Sequence, residues 1–396
     1  MKEATYKFER ANRGLMERLF EPPAVGKMSP ASKVVAYLIL LFWSAFVLFP
    51  IYWVVITSFK DAKLVNEGPY YIPFVDFQPS LDGWIFTFAA PTDPFCDVAS
   101  FGRHLWLSVH NAVTTLLSPV FTIAPMEPHI CKIGLAFTNS VVVSIGSTLL
   151  CVSIGSMAAY ALARIQYKPK FGNIVMFVML ALAAIAVTAY FKVHWAVVGS
   201  VTLALFFLLA RALGRHFKGT LGNGDILFWI ISQRILPPVV VVIPVYMMFQ
   251  AVGMLDTQMA LILVYAVANL PIVVWLMHDF FVNLPIELEE SAQLDGATKF
   301  AIFWDIVLPL TRPGLAATTL LTLILNWNEY LFAIFLSTAH AQTMPIMIAS
   351  KNSGERGILW WEMCAIIVVM IVPVIIMAII LQRFIAKGVL LGAVKG

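Results

Sequence analysis

Residues 289–310 read "EESAQLDGATKFAIFWDIVLPL". The stretch opens on two acids, carries Gly296 and Pro309, and lies between two apolar runs long enough to cross a bilayer. A connector between two spans needs only a few residues. This loop, taken from about 278 to 312, is far longer and is patterned like helices. Leu284, Leu288, Ser291, Ala292 and Asp295 recur at i, i+4, i+7 spacing on one face, and the rest is largely acidic. Asn283 is a candidate cap, Pro285 suits a first turn, and Glu287 suits the positive end of a helix dipole. Gly296 stands where a chain leaving a helix often needs φ > 0. Residues 298–307 form a second amphipathic stretch, with Phe300, Phe303, Ile306 and Val307 able to lie against the membrane face. Pro309 and Pro313 are expected to end it. Ser291, Ala292, Gly296 and Ala297 are small enough to let another surface approach closely. On these residues alone, the segment is either a docking element or an interfacial helix that anchors the loop.

The surrounding chain sets this loop beside a membrane. Of the 396 residues, 60% are hydrophobic and 12% charged, against about 25% charged in soluble domains. Eight runs have the length and apolar character of spans: about 34–58, 138–162, 172–190, 194–213, 226–250, 258–277, 313–336 and 361–382. The expected fold is an all-α polytopic membrane helix bundle. Residues 104–125 are also apolar but hold His104, His110, Asn111 and Pro119, and read as a surface or re-entrant segment. No cleavable signal peptide is evident, since residues 1–33 are polar and mixed in charge. The net charge of +4 reflects topology rather than nucleic-acid binding.

Lysine and arginine positions give the orientation. Seven basic residues lie in the tail 1–33, with Arg164, Lys168 and Lys170 after the second span. Arg215 and Lys218 follow the fourth span, and Arg383, Lys387 and Lys395 follow the last. Eight spans put all of these on one side, the cytoplasm, with both termini. The segment 60–137 then lies outside with only four basic residues, and the loop 278–312 lies inside. A ninth span at 104–125 would invert the later loops. Cys96 and Cys131 fall in the outer segment, where an oxidising compartment would allow a disulfide; the alternative is two free thiols. No Cys/His cluster suggests a metal.

Glu290-Ser291-Ala292, three residues, Gly296, nine residues, then Ile306-Val307-Leu308-Pro309 resembles the EAA motif of ABC importer permeases. Ser291 replaces the usual alanine, a small-for-small change. The extended form from Pro285 to Ala297 is also present. Further stretches resemble the carbohydrate branch of that family, of the second maltose permease type. They are "TNSVVVSIGSTLLCVSIGSMAAYALAR" (138–164), "RILPPVVVVIPVYMMFQAVGMLDT" (234–257), "LPIVVWLMHDFF" (270–281), "NWNEYLFA" (326–333), "TMPI" (343–346) and "GAVKG" (392–396). The resemblance implies a type I ABC importer transmembrane fold. Within it, Glu287, Glu290, Ser291, Ala292, Asp295, Gly296 and Ala297 would form the coupling helix that docks on an ATP-binding subunit. It also implies the partners: a second homologous permease, a dimer of ATP-binding subunits, a periplasmic solute-binding protein and membrane lipid, with no nucleic acid. ATP and Mg would be held by the partner, and this chain would bind no cofactor of its own. The family usually has six spans, so residues 169–222 look like an inserted two-helix hairpin, an even addition that preserves topology. The expected division is a tail (1–33), a first span (34–59), an outer segment (60–137), a permease core (138–382) and a tail (383–396).

No catalytic constellation is visible. The nearest approach to a phosphate-binding loop runs from Gly214 to Gly219 and Thr220, and lacks its lysine. There is no H-E-x-x-H, so the chain is expected to hydrolyse nothing. Asn326, Asn328 and Glu329 are costly inside a span, and either border the solute path or hydrogen-bond neighbouring helices. Trp327 is either an interfacial belt residue or a surface for stacking a sugar. Arg234, just before Pro237-Pro238, either snorkels, pairs with an acid or faces a cavity. The competing reading, a secondary transporter independent of ATP, would show two related halves and mid-membrane ionisable groups. It leaves the long loop unexplained.

Overall fold

The computed structural model describes residues 19–20, 28–88, 131–191, 195–213, 216–217, 219–352 and 358–392. In chain order the helices are α1 (Pro30–Thr57), α2 (Ala62–Glu67), α3 (Asp82–Phe88), α4 (Cys131–Arg164) and α5 (Phe171–Phe191). They continue with α6 (Trp195–Leu213), α7 (Asn223–Ser232), α8 (Pro238–Ala251), α9 (Gln258–Val282) and α10 (Glu287–Leu294). The last are α11 (Lys299–Leu310), α12 (Arg312–Trp327), α13 (Leu331–Leu336), α14 (Met344–Ser350) and α15 (Trp360–Gly392). The described residues contain no β-strand, only two isolated bridges, so the chain is all-α.

Among the described residues, five helices are long and apolar enough to cross a membrane, and seven if each of two bent pairs counts as one span. The eighth expected span is present as α6, whose described apolar part, Val197–Leu213, is shorter. Two expected straight spans are corrected. The run 226–250 is α7 and α8, which meet at 90°. Leu236 precedes Pro237 and adopts extended backbone (ψ 128), because a proline ring disfavours helix in the residue before it. The run 313–336 is α12 and α13, separated at Asn328–Tyr330. Pro309 does not end the second amphipathic stretch either. It lies inside α11, and the chain turns by 82° only at Thr311.

The helices fall into two compact units. The first takes α1–α3 and residues 348–371. Ser29 Oγ accepts the Ser32 amide and Pro30 opens the first turn, which fixes the start of α1. Just past its end, Lys60 is only 1% exposed. Its ammonium donates to Tyr70 O at 2.7 Å and stands 4.3 Å from the Trp53 ring centroid. Burial pulls its pKa below the usual lysine range. Lys351 and Glu362 pair at 2.5 Å in the same unit.

In the second unit, α4 and α9 run along each other. Gly155 makes this possible, since a Cβ there would sit 2.6 Å from Val273 Cγ1. Around that seam, Cys151, Ala159, Val273, Met277 and Phe281 form a core with Ile302, Phe303 and Val307 of α11. A second core joins Val143, Val242, Leu261 and Tyr265 to Phe332 and Leu336. Beyond it, the Asp256 carboxylate accepts the amides of Thr338, Ala339, His340 and Ala341 at 2.9–3.1 Å. Asn139 Nδ2 donates to the carbonyls of His340 and Gln342. One loop is thereby tied to α4 and to the start of α9.

The helices α5 and α6 form the expected hairpin and pack on each other. The most apolar window of α5 is unburied, the pattern of a helix surrounded by lipid. The base is closed by an antiparallel bridge between Lys170 and Thr220. Phe171 N donates to Gly219 O and Leu221 N to Pro169 O, both at 2.9 Å. Cys96, the Cys131 side chain and the closing residues 393–396 lie outside the described residues; the two other cysteines, Cys151 and Cys364, are buried free thiols.

Candidate functional site

The loop 278–312 folds as two helices with a tight turn. Asn283 is not the cap of α10, as its place in the sequence suggests. It closes α9, its amide donating to Asp279 O at 2.7 Å. The α10 helix starts at Glu287 without a side-chain cap, and its first turn holds Glu287, Glu289 and Glu290, a favourable charge at that dipole end. At the other end Gly296 N donates to Gln293 O and Ala297 N to Ala292 O, both at 3.0 Å. This double closure requires a left-handed residue at the turn, and Gly296 supplies it with φ 87°.

The face that the spacing groups together is not the one that α10 buries. Leu288 is 45% exposed, and Ser291 and Asp295 are exposed too. The residue turned inward is Glu289, 4% exposed. Its Oε1 accepts from Arg164 Nε and its Oε2 from the Tyr160 hydroxyl, each at 2.7 Å. Arg164 also donates to Leu284 O at 3.1 Å. Beneath them the Tyr160 ring packs on Phe281 and Phe303, with centroids 5.8 and 5.0 Å away. A buried carboxylate is stable only when paired and hydrogen-bonded, and both of its oxygens are satisfied here. The neighbouring segment of α11 contributes through a π-helical turn, Ile302–Val307, a form frequent at functional positions. It buries Ile302, Phe303 and Val307, while Phe300 remains 64% exposed.

With Glu289 inward, the opposite side is open. Glu287, Glu290, Ser291, Asp295 and Gly296 are exposed, Ala292 and Ala297 are half-buried, and Leu294 is 89% exposed. Sequence spacing brought the first five to one segment but missed Glu289, Tyr160, Arg164 and Leu294. The available indication was the "YALAR" end of α4, which places an aromatic hydroxyl and a guanidinium four residues apart on one helical face. The open surface of α10 is polar and acidic, with the apolar side chains of Leu288 and Leu294 also exposed on it.

The polar residues of α12 divide into two groups. Asn326 is 2% exposed. It accepts from Asn269 Nδ2 at 2.5 Å and donates to Thr148 Oγ1 at 2.9 Å, joining α12, α9 and α4. Arg234 extends this chain by donating to Asn269 Oδ1. Trp327 is buried, edge-on to Phe137. Asn328 is exposed, with its amide on Ile324 O at 2.8 Å. Glu329 Oε1 accepts the Phe332 amide at 3.1 Å and so begins α13. No group of three or more His, Cys, Asp or Glu suited to a metal occurs among the described residues.

Residues 151–391 match the family described as "Binding-protein-dependent transport system inner membrane component". The chain is 25% identical over 352 residues to the trehalose/maltose transport system permease protein MalG of Thermococcus litoralis. That match covers 88% of this chain and 92% of the relative. It is 33% identical over 199 residues to the sulfoquinovosyl glycerol transport system permease protein SmoH of Agrobacterium fabrum, covering 50% and 68%. Among solved structures, it resembles a chain of a bacterial ABC transporter involved in the import of the acidic polysaccharide alginate. The TM-score is 0.52 at 19% identity, over 94% of this chain and 98% of that one; this likeness shows the fold.

Proposed function

We propose that this protein, which belongs to the family of binding-protein-dependent transport system inner membrane components, carries a carbohydrate-type solute into the cell. It is a multi-pass inner-membrane permease of an ABC importer with the type I importer fold. It is a transport subunit; ATP hydrolysis takes place on a separate ATPase, and a solute-binding protein is its other implied partner. The carbohydrate class is supported by relatives named for trehalose or maltose and for sulfoquinovosyl glycerol.

The α10 geometry supports the finer assignment of the coupling surface, and the positions of the basic residues support the orientation. The open side of α10, with Glu287, Glu290, Ser291, Ala292, Asp295, Gly296 and Ala297, seats in a cleft of one of two ATP-binding subunits. Closure of those subunits around ATP and Mg, which they hold, pushes α10. The spans then alternate between inward-facing and outward-facing states. A second homologous permease completes the path. Both termini lie in the cytoplasm. Asn328, exposed at the break after α12, borders the solute path with Glu329; Asn326 and Trp327 back it from inside the bundle. The observation that carries this reading is the buried Glu289–Arg164–Tyr160 anchor, which fixes α10 to a spanning helix and leaves its acidic side free.

Gentle detergent extraction of the tagged chain tests it. Recovery of a complex with an ATPase and a second permease, whose ATP turnover rises with the loaded binding protein, is the expected result. A lone chain that transports without ATP would establish the secondary-transporter alternative.

A further inference from the structure

We propose that the loop 70–77, which follows α2, inserts its tip into the outer leaflet of the membrane. Residues 68–75 carry no charge, and the tip displays Ile72, Phe74 and Val75, which are 54%, 64% and 77% exposed. The fold holds them in place. Both arms of the loop converge on Lys60. Tyr70 O accepts its ammonium at 2.7 Å, and the ring centroid of the buried Phe77 lies 5.2 Å from the same group. The Asp76 carboxylate accepts the amides of Tyr71 and Ile72, each at 2.9 Å, and Phe74 N donates to Phe77 O at 2.8 Å. Phe74 itself is left-handed, with φ 64°. A bulky residue in that region is strained and persists only where its surroundings impose it. Here the strained residue does not bury its ring but displays it.

The occupant is lipid because of the level at which the loop sits. The apolar run of α1 starts at Val34, just after Lys33. From there about 20 residues at about 1.5 Å each cover about 30 Å of hydrocarbon. That count ends at Trp53, an aromatic at the boundary as expected of an interfacial belt. The helix continues to Thr57, and the chain then doubles back along it. The Tyr52 hydroxyl donates to Tyr71 O at 2.5 Å. The Tyr71 ring centroid stands 5.3 Å from that of Trp53 and 6.3 Å from that of Phe49. Tyr71 is therefore level with the last turn of the hydrocarbon stretch, and Ile72, Phe74 and Val75 follow it at once. Their exposed side chains continue the apolar surface of α1, whose most apolar window is unburied. The charges beside the loop are held: Lys60 is buried, and the exposed Asp76 is turned onto two amides. A protein docking from the aqueous side would have to reach past Trp53 to meet the tip. The inference rests on the reading of α1 as a span with a cytoplasmic start.

Spin-label depth measurement on the intact complex in phosphatidylcholine vesicles tests the proposal. The background carries Cys96→Ser and Cys131→Ser, and Cys151 and Cys364 stay as buried thiols. A nitroxide is attached at Val75→Cys, at Phe46→Cys in the apolar run of α1, or at Lys63→Cys on α2 as the aqueous reference. All three positions are exposed, so labelling leaves the core intact. Oxygen concentrates in hydrocarbon and a nickel chelate in water. The ratio of oxygen to nickel collisions at Val75 is expected to be several-fold above that at Lys63 and to approach that at Phe46. A Val75 label that matches Lys63, with Phe46 in lipid, overturns the insertion and leaves the importer reading standing. A Phe46 label in water overturns the reading of α1 as a span, and the proposal with it. A Val75 label shielded from both reagents also overturns it. Shielding in the complex alone marks a contact with the second permease; shielding only after the binding protein is added marks a contact with that protein.

Discussion

Glu289 and Arg164 meet through Oε1 and Nε at 2.7 Å, with side chains only 6% and 13% exposed, although 125 residues separate them in the chain. One belongs to the short helix α10 and the other to the last turn of α4. Their contact joins α10 to the end of a helix long and apolar enough to span a membrane. Replacing Glu289 with Ala leaves Arg164 without its partner in a nearly dry site, at a cost of about 3 kcal/mol. The expected outcome is a lower melting temperature together with loss of binding-protein-stimulated ATP turnover. Glu289→Gln keeps one acceptor for the Tyr160 hydroxyl and should fall between. An unchanged melting temperature in Glu289→Ala would show that the pair does not hold α10.

Gly296 is left-handed, and a Cβ built there meets nothing within 4 Å. Ala at this position should cost about 1–2 kcal/mol of backbone strain, whereas Asn, which tolerates that conformation, should cost less. If close approach by the ATPase is the stricter requirement, the order reverses for assembly, with Asn worse than Ala. Thermal stability of the isolated permease and recovery of the ATPase, measured on both variants, separate the two causes.

The Asp256 clasp gives a pH dependence with a definite sign. Burial raises its pKa, but the amides of His340, Ala341, Thr338 and Ala339 outweigh it, and the net value lies below the usual carboxylate range. The native state therefore favours the ionised form. Its contribution is complete above the unfolded carboxylate pKa of about 3.9 and is lost as pH falls through the depressed native value. Protection of the amides of residues 338–341 against hydrogen exchange, relative to the intrinsic rate at each pH, should be high at neutral pH and fall only in strong acid. Asp256→Asn, which also tolerates the positive φ of 58° found there, should show low protection already at neutral pH and no such fall.

Asn326 and Asn328 should separate by phenotype. Asn326→Leu removes two buried interhelical bonds, each worth about 0.6–2 kcal/mol in a membrane bundle, and should destabilise the permease. Asn328→Ala leaves the core untouched and should alter solute flux at unchanged stability. A stable Asn326→Leu variant with altered flux would move Asn326 from the scaffold to the path.

The helices, the hairpin and the Gly296 turn were legible because each is fixed by local chemistry: apolar length, an even insertion, a residue free to adopt positive φ. The inward face of α10 was not legible. Apolar spacing groups Leu288 with Ser291 and Asp295 on one face but does not single out Glu289, whose burial depends on Tyr160 and Arg164 far away in the chain. The bend at Pro237-Pro238 was present in the sequence, but hydropathy reports how apolar a run is and not which way it points. Asn326 and Asn328 look alike as letters; only the positions of Asn269 and Thr148 tell them apart.

The 82° turn at Thr311 has a consequence for how force travels. The hydroxyl and amide of Thr311 both close on Val307 O, at 2.9 and 3.0 Å, so the joint is braced. On the proposed coupling, a push along α11 would meet α12 at 82° to its axis. It would act as torque rather than thrust, as in a bell crank, with Asn328 at the end of the turned arm.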